Sequence, residues 1–208
     1  MAKFAFIDVQ NTETTTRKWL NFEIDWVRLT QFLQNEWGCD QVFYYLGIQE
    51  GDTARDEEFS RLKNEKVIIR PKYYFVHKVS DRLVATTCTT CATPMQVRID
   101  MGYQWKCNCD VELTVDVLDK AYGDNEIILF TGDGDFEFLI DTVLAKVSGD
   151  VSIVSTSKPR IRAGKTEHRL SKKLKKKKKE FQVTPDLANY RLRYALRSGD
   201  FRVLDHGY

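Results

Sequence analysis

Glu126-Ile127-Ile128-Leu129-Phe130, running into Thr131-Gly132-Asp133-Gly134-Asp135, is the stretch on which the fold turns. Four apolar residues in succession leave no polar face, so this strand is expected to be covered on both sides, as strands of a parallel sheet are. The Gly and Asp residues behind it form turns readily. They stand at the carboxyl end of the strand, the edge at which open α/β sheets hold ligands. A helix is expected from Phe136 to about Lys146, and Val151 to Ser155 supplies a further strand.

The same grammar recurs upstream. Lys3-Phe4-Ala5-Phe6-Ile7-Asp8 is a short apolar run stopping at an acid, followed by Val9-Gln10-Asn11 and what reads as a Thr-rich loop. Trp26, Leu29, Phe32, Leu33 and Trp37 fall at helical spacing after Asp25, and Gly38 closes that helix. Val42 to Leu46 reads as a second strand, Asp56 to Asn64 as a polar helix with Phe59 and Leu62 inward, and Val67 to Arg70 as a third strand ended by Pro71. Residues 73–103 break the alternation with β-rich, loop-rich sequence, and order returns with a helix from Asp110. Strands alternating with helices predict an α/β fold, a central mostly parallel sheet flanked by helices, with a small β-rich insertion. The expected domain organisation is a body over 1–156, containing an insertion over 73–109, then a basic arm over 157–184 and a helical segment over 185–208.

Charge divides the chain differently. It holds 32 Lys and Arg against 30 Asp and Glu, a formal net charge of +2. Twelve of those bases and one acid, Glu167, lie within Lys158–Lys179. The arm is therefore about +11 and the body about −9, an asymmetry that points to polyanionic partners. Seven of the eight residues from Lys172 to Lys179 are Lys: Lys172, Lys173, Lys175, Lys176, Lys177, Lys178 and Lys179. Such a run binds phosphate backbones through counterion release, without sequence readout; the plain alternative is a solvated connector. Deleting it is expected to weaken binding to a polyanion while leaving the acidic remainder of the chain intact. Leu187, Tyr190, Leu192, Tyr194 and Ala195 suggest a final helix, packed on the body or on another copy of the chain. No window approaches the roughly 20 apolar residues of a membrane span, and no signal pattern opens the chain, so a soluble, cytoplasmic protein without membrane contact is expected.

Four acids occupy the expected carboxyl-edge positions: Asp8 after the first strand, Asp110 at a helix start, and Asp133 and Asp135 after the strongest strand. A carboxylate cluster there suits hard divalent ions such as Mg²⁺ or Mn²⁺. The alternative is that these residues serve as turn formers and helix caps.

Three segments resemble one family in that family's own order. Phe6-Ile7-Asp8-Val9-Gln10-Asn11 resembles the F-I-D-x-x-N opening of the NYN domain, the PIN-like nuclease group that includes LabA-like proteins. Lys106 through Asp116 is similar to its K-G-x-D-v-x-L-x-x-D segment, and Leu129-Phe130-Thr131-Gly132-Asp133-Gly134-Asp135-Phe136 to its L-x-S-G-D-x-D-F signature. The resemblance implies a Rossmann-like PIN fold and a metal-dependent ribonuclease. Asp8, Asp110, Asp133 and Asp135 would hold Mg²⁺ or Mn²⁺, Asn11 would support the pocket, and the substrate would be RNA. A non-catalytic RNA-binding module is the alternative. Val9-Gln10 replaces the family's frequent Gly-x, Cys107-Asn108-Cys109 replaces the Gly after the Lys, and Asp116 reads equally as a salt-bridge partner or a site residue.

Cys88-x2-Cys91 and Cys107-x-Cys109 stand fifteen residues apart, near the spacing of zinc ribbons, and predict a closed Cys₄ site for structural Zn²⁺. Unliganded thiols are the alternative. Tyr44, Tyr45, Tyr73, Tyr74, Phe75, Tyr103 and Trp105 are candidates either for stacking on bases or for packing in the core.

Overall fold

Strand β1 (Lys3–Asp8) is the axis of the molecule, hydrogen-bonded in parallel on one side to β2 (Gln41–Ile48) and on the other to β8 (Glu126–Phe130). The coordinates are a computed structural model that describes residues 1–176. With β3 (Val67–Tyr73) beyond β2 and β9 (Val151–Val154) beyond β8, the five-stranded sheet has the order β3-β2-β1-β8-β9, every pair parallel. The order runs one way from β1 through β2 to β3 and the other way through β8 to β9. The gap between β1 and β8 is therefore a switch point, where the carboxyl ends of two strands open a crevice.

Alternation along β1 sends Ala5 and Ile7 to one face and Phe4 and Phe6 to the other, and each face has its own core. On the first face pack α1 (Val9–Thr15), α2 (Trp26–Asn35) and α3 (Thr53–Ser60), with Leu29 and Leu33 fully buried among Tyr44, Leu46 and Phe130. On the second pack α4 (Asp110–Lys120) and α5 (Glu137–Leu144), through Leu113, Val117, Ile140 and Val143 against Phe6, Phe43 and Leu129. Both faces are covered, as the unbroken apolar strands require. No helix among the described residues is long and apolar enough to cross a membrane.

Four details differ from the sequence reading. The Thr-rich stretch after Asn11 is helical: α1 begins directly after β1 and runs into one wider turn at Thr16–Leu20. Threonine is a poor helix former in isolation. Here Thr12, Thr15 and Thr16 are buried, and their hydroxyls donate to the carbonyls of Asp8, Asn11 and Glu13 at 2.8, 2.8 and 3.2 Å. Helix α3 starts earlier than expected because Asp52 caps it, accepting from the Arg55 N–H at 3.1 Å. Strand β3 continues through Pro71, which an edge strand tolerates because the missing N–H faces no neighbour.

The fourth difference lies in the basic arm. It forms a small hairpin, β10 (Arg160–Arg162) with β11 (Lys165–Glu167), and then the short helix α6 (Lys172–Lys176). Leu170 and Leu174, 3% and 0% exposed, belong to the second core. This part of the arm is docked on the body and is no free connector. Lys177, Lys178, Lys179 and the expected helix over 185–208, with the contact to another copy expected of it, lie outside the described residues.

The insertion is two ribbons in tandem. Strand β4 (Phe75–Lys78) pairs with β7 (Tyr103–Lys106), and between them β5 (Arg82–Thr87) pairs with β6 (Pro94–Ile99), all antiparallel.

Candidate active site

Asp8 is the last residue of β1 and the cap of α1, its carboxylate accepting from the Asn11 N–H at 2.9 Å. A helix that starts at once needs no glycine in the turn, which is how Val9-Gln10 substitutes for the more frequent Gly-x. Asn11 is buried, and its side-chain oxygen accepts from the Gly132 N–H at 3.1 Å. This bond ties the carboxyl end of β1 to the loop after β8 across the switch point. Asp133, in that loop, accepts from the Asp135 N–H at 3.0 Å and caps the tight turn Gly134–Phe136, while Thr131 Oγ1 accepts from the Asp133 N–H at 3.2 Å. Thr131 thus supplies the hydroxyl that Ser would. Asp110 opens α4, and its N–H donates to the Asn108 side chain at 2.7 Å. Asn108 takes up an N–H at the start of that helix.

Asp8, Asp110 and Asp133 line one cleft of about 430 Å³, together with Asn11, Gln10, Tyr45, Phe75, Lys106 and Arg169. Burial pushes the Asp8 carboxyl up to about 6; the Asn11 bond pulls it down, Asp110 and Asp133 push it up, and Arg169 pulls it down. Asp110 is also raised, first by burial and then by Asp133, Asp135 and Glu112, against the lowering bond from Asn108. The capping role is therefore real, but caps alone do not require three carboxylates on one cleft, two of them held above their ordinary range. Asp135 is exposed and lies outside this cleft, on a neighbouring groove of about 200 Å³ that it shares with Asp110, Phe136 and Leu139.

The donor chemistry fits Mg²⁺ or Mn²⁺, being hard carboxylate oxygens on one cleft, where Asp110 and Asp133 add to the burial that raises Asp8. Among the described residues, no three acidic, Cys or His side chains are drawn tightly enough to hold an ion as they stand. That finding also bears on the cysteines. Cys107 Sγ and Cys109 Sγ are 3.8 Å apart at the foot of the insertion, whereas Cys88 and Cys91 lie in the turn joining β5 to β6. The structure gathers two pairs and no set of four, and burial pushes the Cys109 thiol up to about 12. One zinc per chain would require the two pairs to close on a single ion.

Asp116 is resolved as a structural acid: it takes a forked pair of bonds from Arg70, 2.9 and 3.2 Å, and one from the Tyr45 hydroxyl at 2.8 Å. The aromatics divide. Tyr44 and Tyr45 are buried, while Tyr73, Phe75, Tyr103 and Trp105 are exposed, and of these four Phe75 lines the cleft. Gly47 also lines the cleft, where a Cβ would stand 2.6 Å from Tyr74 Cζ and 2.9 Å from Cys107 Cβ. Gly47→Ala is accordingly expected to lower stability by about 1–3 kcal/mol, read as a shift in the urea midpoint.

Arg169 is the site residue that sequence reading missed. It reaches the cleft from the arm, a position indistinguishable in composition from its basic neighbours. The signal was the pair Leu170 and Leu174, apolar residues four apart in a basic run, the spacing of a buried helical face. Because Leu174 is buried, deleting Lys172–Lys179 would remove core and not charge alone. The informative variant neutralises Lys172, Lys173, Lys175 and Lys176 to Gln. It is expected to leave the melting midpoint unchanged, since these lysine side chains are surface charges, and so to separate the arm's charge from its packing.

The NYN domain profile matches residues 4–183, most of the chain, and the chain belongs to the NYN domain family. NYN domains are part of the PIN-like nuclease superfamily. The chain is 39% identical over 54 residues to the low amplitude and bright protein LabA of Synechococcus elongatus. That alignment covers 26% of this chain and 28% of the relative, so the chain spans little more than a quarter of the curated protein it matches. A crystal structure of a protein of unknown function from Vibrio parahaemolyticus is similar with a TM-score of 0.54 and 17% identity, over 88% of this chain and 90% of that one. At that identity the likeness concerns the fold alone.

Proposed function

We propose that the protein is a metal-dependent ribonuclease that hydrolyses phosphodiester bonds in single-stranded RNA. The observation that carries this reading is the convergence of Asp8, Asp110 and Asp133 from three separate elements on one cleft at the sheet's switch point. A divalent cation bound there would neutralise charge developing on the phosphate and lower the pKa of an attacking water. Asp8, Asp110 and Asp133 would hold that cation, with Asp135 on the neighbouring groove that Asp110 also lines. Asn11 keeps the two strand ends in register, which preserves the spacing of Asp8 and Asp133. The basic arm offsets the repulsion between an acidic body and RNA.

Incubating labelled single-stranded RNA with Mn²⁺ or Mg²⁺ tests this, comparing wild type with Asp133→Asn, which keeps an oxygen for the cap. Cleavage by wild type and its loss in the variant are expected. A second reading, an RNA-binding module without catalysis, is favoured by Arg169 lining the same cleft as the acids. RNA binding with no cleavage in either ion would select it.

A further inference from the structure

Arg169 is an arginine held by neutral groups beside a pair of acids. Its Nε donates to Thr15 Oγ1 at 2.9 Å and its Nη2 to the Asn11 carbonyl at 3.1 Å, while the guanidinium lies 5.7 Å from the centre of the Trp19 ring. Its backbone is fixed as well: the Ser171 N–H donates to the Gly132 carbonyl at 3.0 Å, and a Cβ on Gly132 would stand 2.8 Å from the Arg169 carbonyl oxygen. Glycine at 132 is what lets the arm approach the signature loop this closely.

Asp8 and Asp133 attract this charge, yet among the described residues no carboxylate forms an ion pair with it. A guanidinium has five N–H donors, and the bonds described use Nε and Nη2, leaving Nη1 uncommitted. It lines the same cleft as the three acids, with Lys106 as the second cation on that lining. A planar cation, anchored by two hydrogen bonds and placed over an indole, is suited to anionic oxygens and offers a fork that an ammonium lacks.

We infer that Arg169 is a phosphate-binding residue, holding a non-bridging oxygen of the RNA strand beside the acids. This makes the docked part of the basic arm a wall of the site, beyond its role as a diffuse attractor. The inference rests on the reading of the cleft as an RNA site, and does not require that the RNA be cleaved.

Binding of the full chain to a labelled single-stranded oligoribonucleotide, with Ca²⁺ replacing Mg²⁺ and Mn²⁺, tests it. Single methylphosphonate linkages, which remove one backbone charge each, are walked along the strand. Wild type is expected to lose affinity by at least about tenfold at one linkage, and Arg169→Ala to lose as much on the natural strand while becoming indifferent to that linkage. The salt slope of Arg169→Ala should fall by about 0.7, the value for one phosphate. Arg169→Lys, which keeps the charge but gathers its donors on one nitrogen and so cannot reproduce the fork that spans Nε, Nη1 and Nη2, should retain the slope and recover only part of the affinity. If Arg169→Ala fails to fold, the lysine variant alone decides through its response at that linkage. Equal sensitivity to every linkage in wild type and variants overturns the inference, as does wild type that binds no RNA. Coupling between Arg169 and one linkage, with no cleavage in Mn²⁺, would sink the nuclease reading and leave this one standing.

Discussion

Asp8→Asn is expected to reduce RNA cleavage by about a thousandfold, equivalent to ~4 kcal/mol of transition-state stabilisation, while making the metal-free protein more stable. Asparagine keeps the oxygen that caps α1 by accepting from the Asn11 N–H. It removes a charge that the fold disfavours. The Asp8 carboxyl rises from 3.8 to about 6, chiefly through burial, so the folded chain binds this proton more tightly than the unfolded chain. Its stabilising contribution is complete below the unfolded value of 3.8 and is lost as pH rises through 6. For wild type in EDTA, stability should fall by up to ~3 kcal/mol across that window, and Asp8→Asn should lack the decline. Melting curves from pH 4 to 7, with and without Mn²⁺, check both statements. A cation that neutralises the cluster should restore the wild-type midpoint near neutral pH. An Asp8→Asn variant less stable than wild type at pH 7 would mean that the carboxylate is there as a cap.

Leu174→Ala is expected to cost about 2–3 kcal/mol, a large effect for a residue inside a lysine run. The side chain is fully buried with Leu170, Phe136 and Leu139. The loss is bounded by the energy of detaching the arm, since a local opening replaces global unfolding once it becomes the easier route. Amide exchange should therefore quicken over 168–176 before it quickens in β1. Detachment also withdraws Arg169, whose charge lowers the Asp8 pKa. Leu174→Ala should thus move the Asp8 titration midpoint away from about 6, read by carboxyl NMR, whereas Lys175→Gln should leave it in place. Unchanged exchange and an unchanged midpoint would return the arm to the role of connector.

The sheet was legible because its strands are apolar on both faces: Phe4 to Ile7 and Ile127 to Phe130 have no other reading than burial between two layers. Asp8, Asp110 and Asp133 were legible because each stands where a strand ends or a helix begins, whereas Asp135, two residues on, falls on a neighbouring groove. What escaped was set by contacts distant in sequence. Thr12, Thr15 and Thr16 look like loop formers until α1 buries them and their hydroxyls turn to their own helix. Pro71 reads as a stop because nothing local reveals that β3 is an edge. Arg169 meets Thr15 and Asn11 across more than 150 residues of chain, a pairing no local pattern encodes. The cysteine spacing was suggestive of one metal site, but spacing is silent on how the two ribbons of the insertion are stacked, and the structure leaves the cysteines as two pairs.

Mn²⁺ binding, followed by electron paramagnetic resonance on wild type, Asp110→Asn and Asp133→Asn, tests the central claim that acids from β1, α4 and the β8 loop act as one cation site. The account predicts a single site in wild type that each substitution weakens by at least about tenfold, the value of one charged ligand. Equal Mn²⁺ affinity in all three proteins would contradict it.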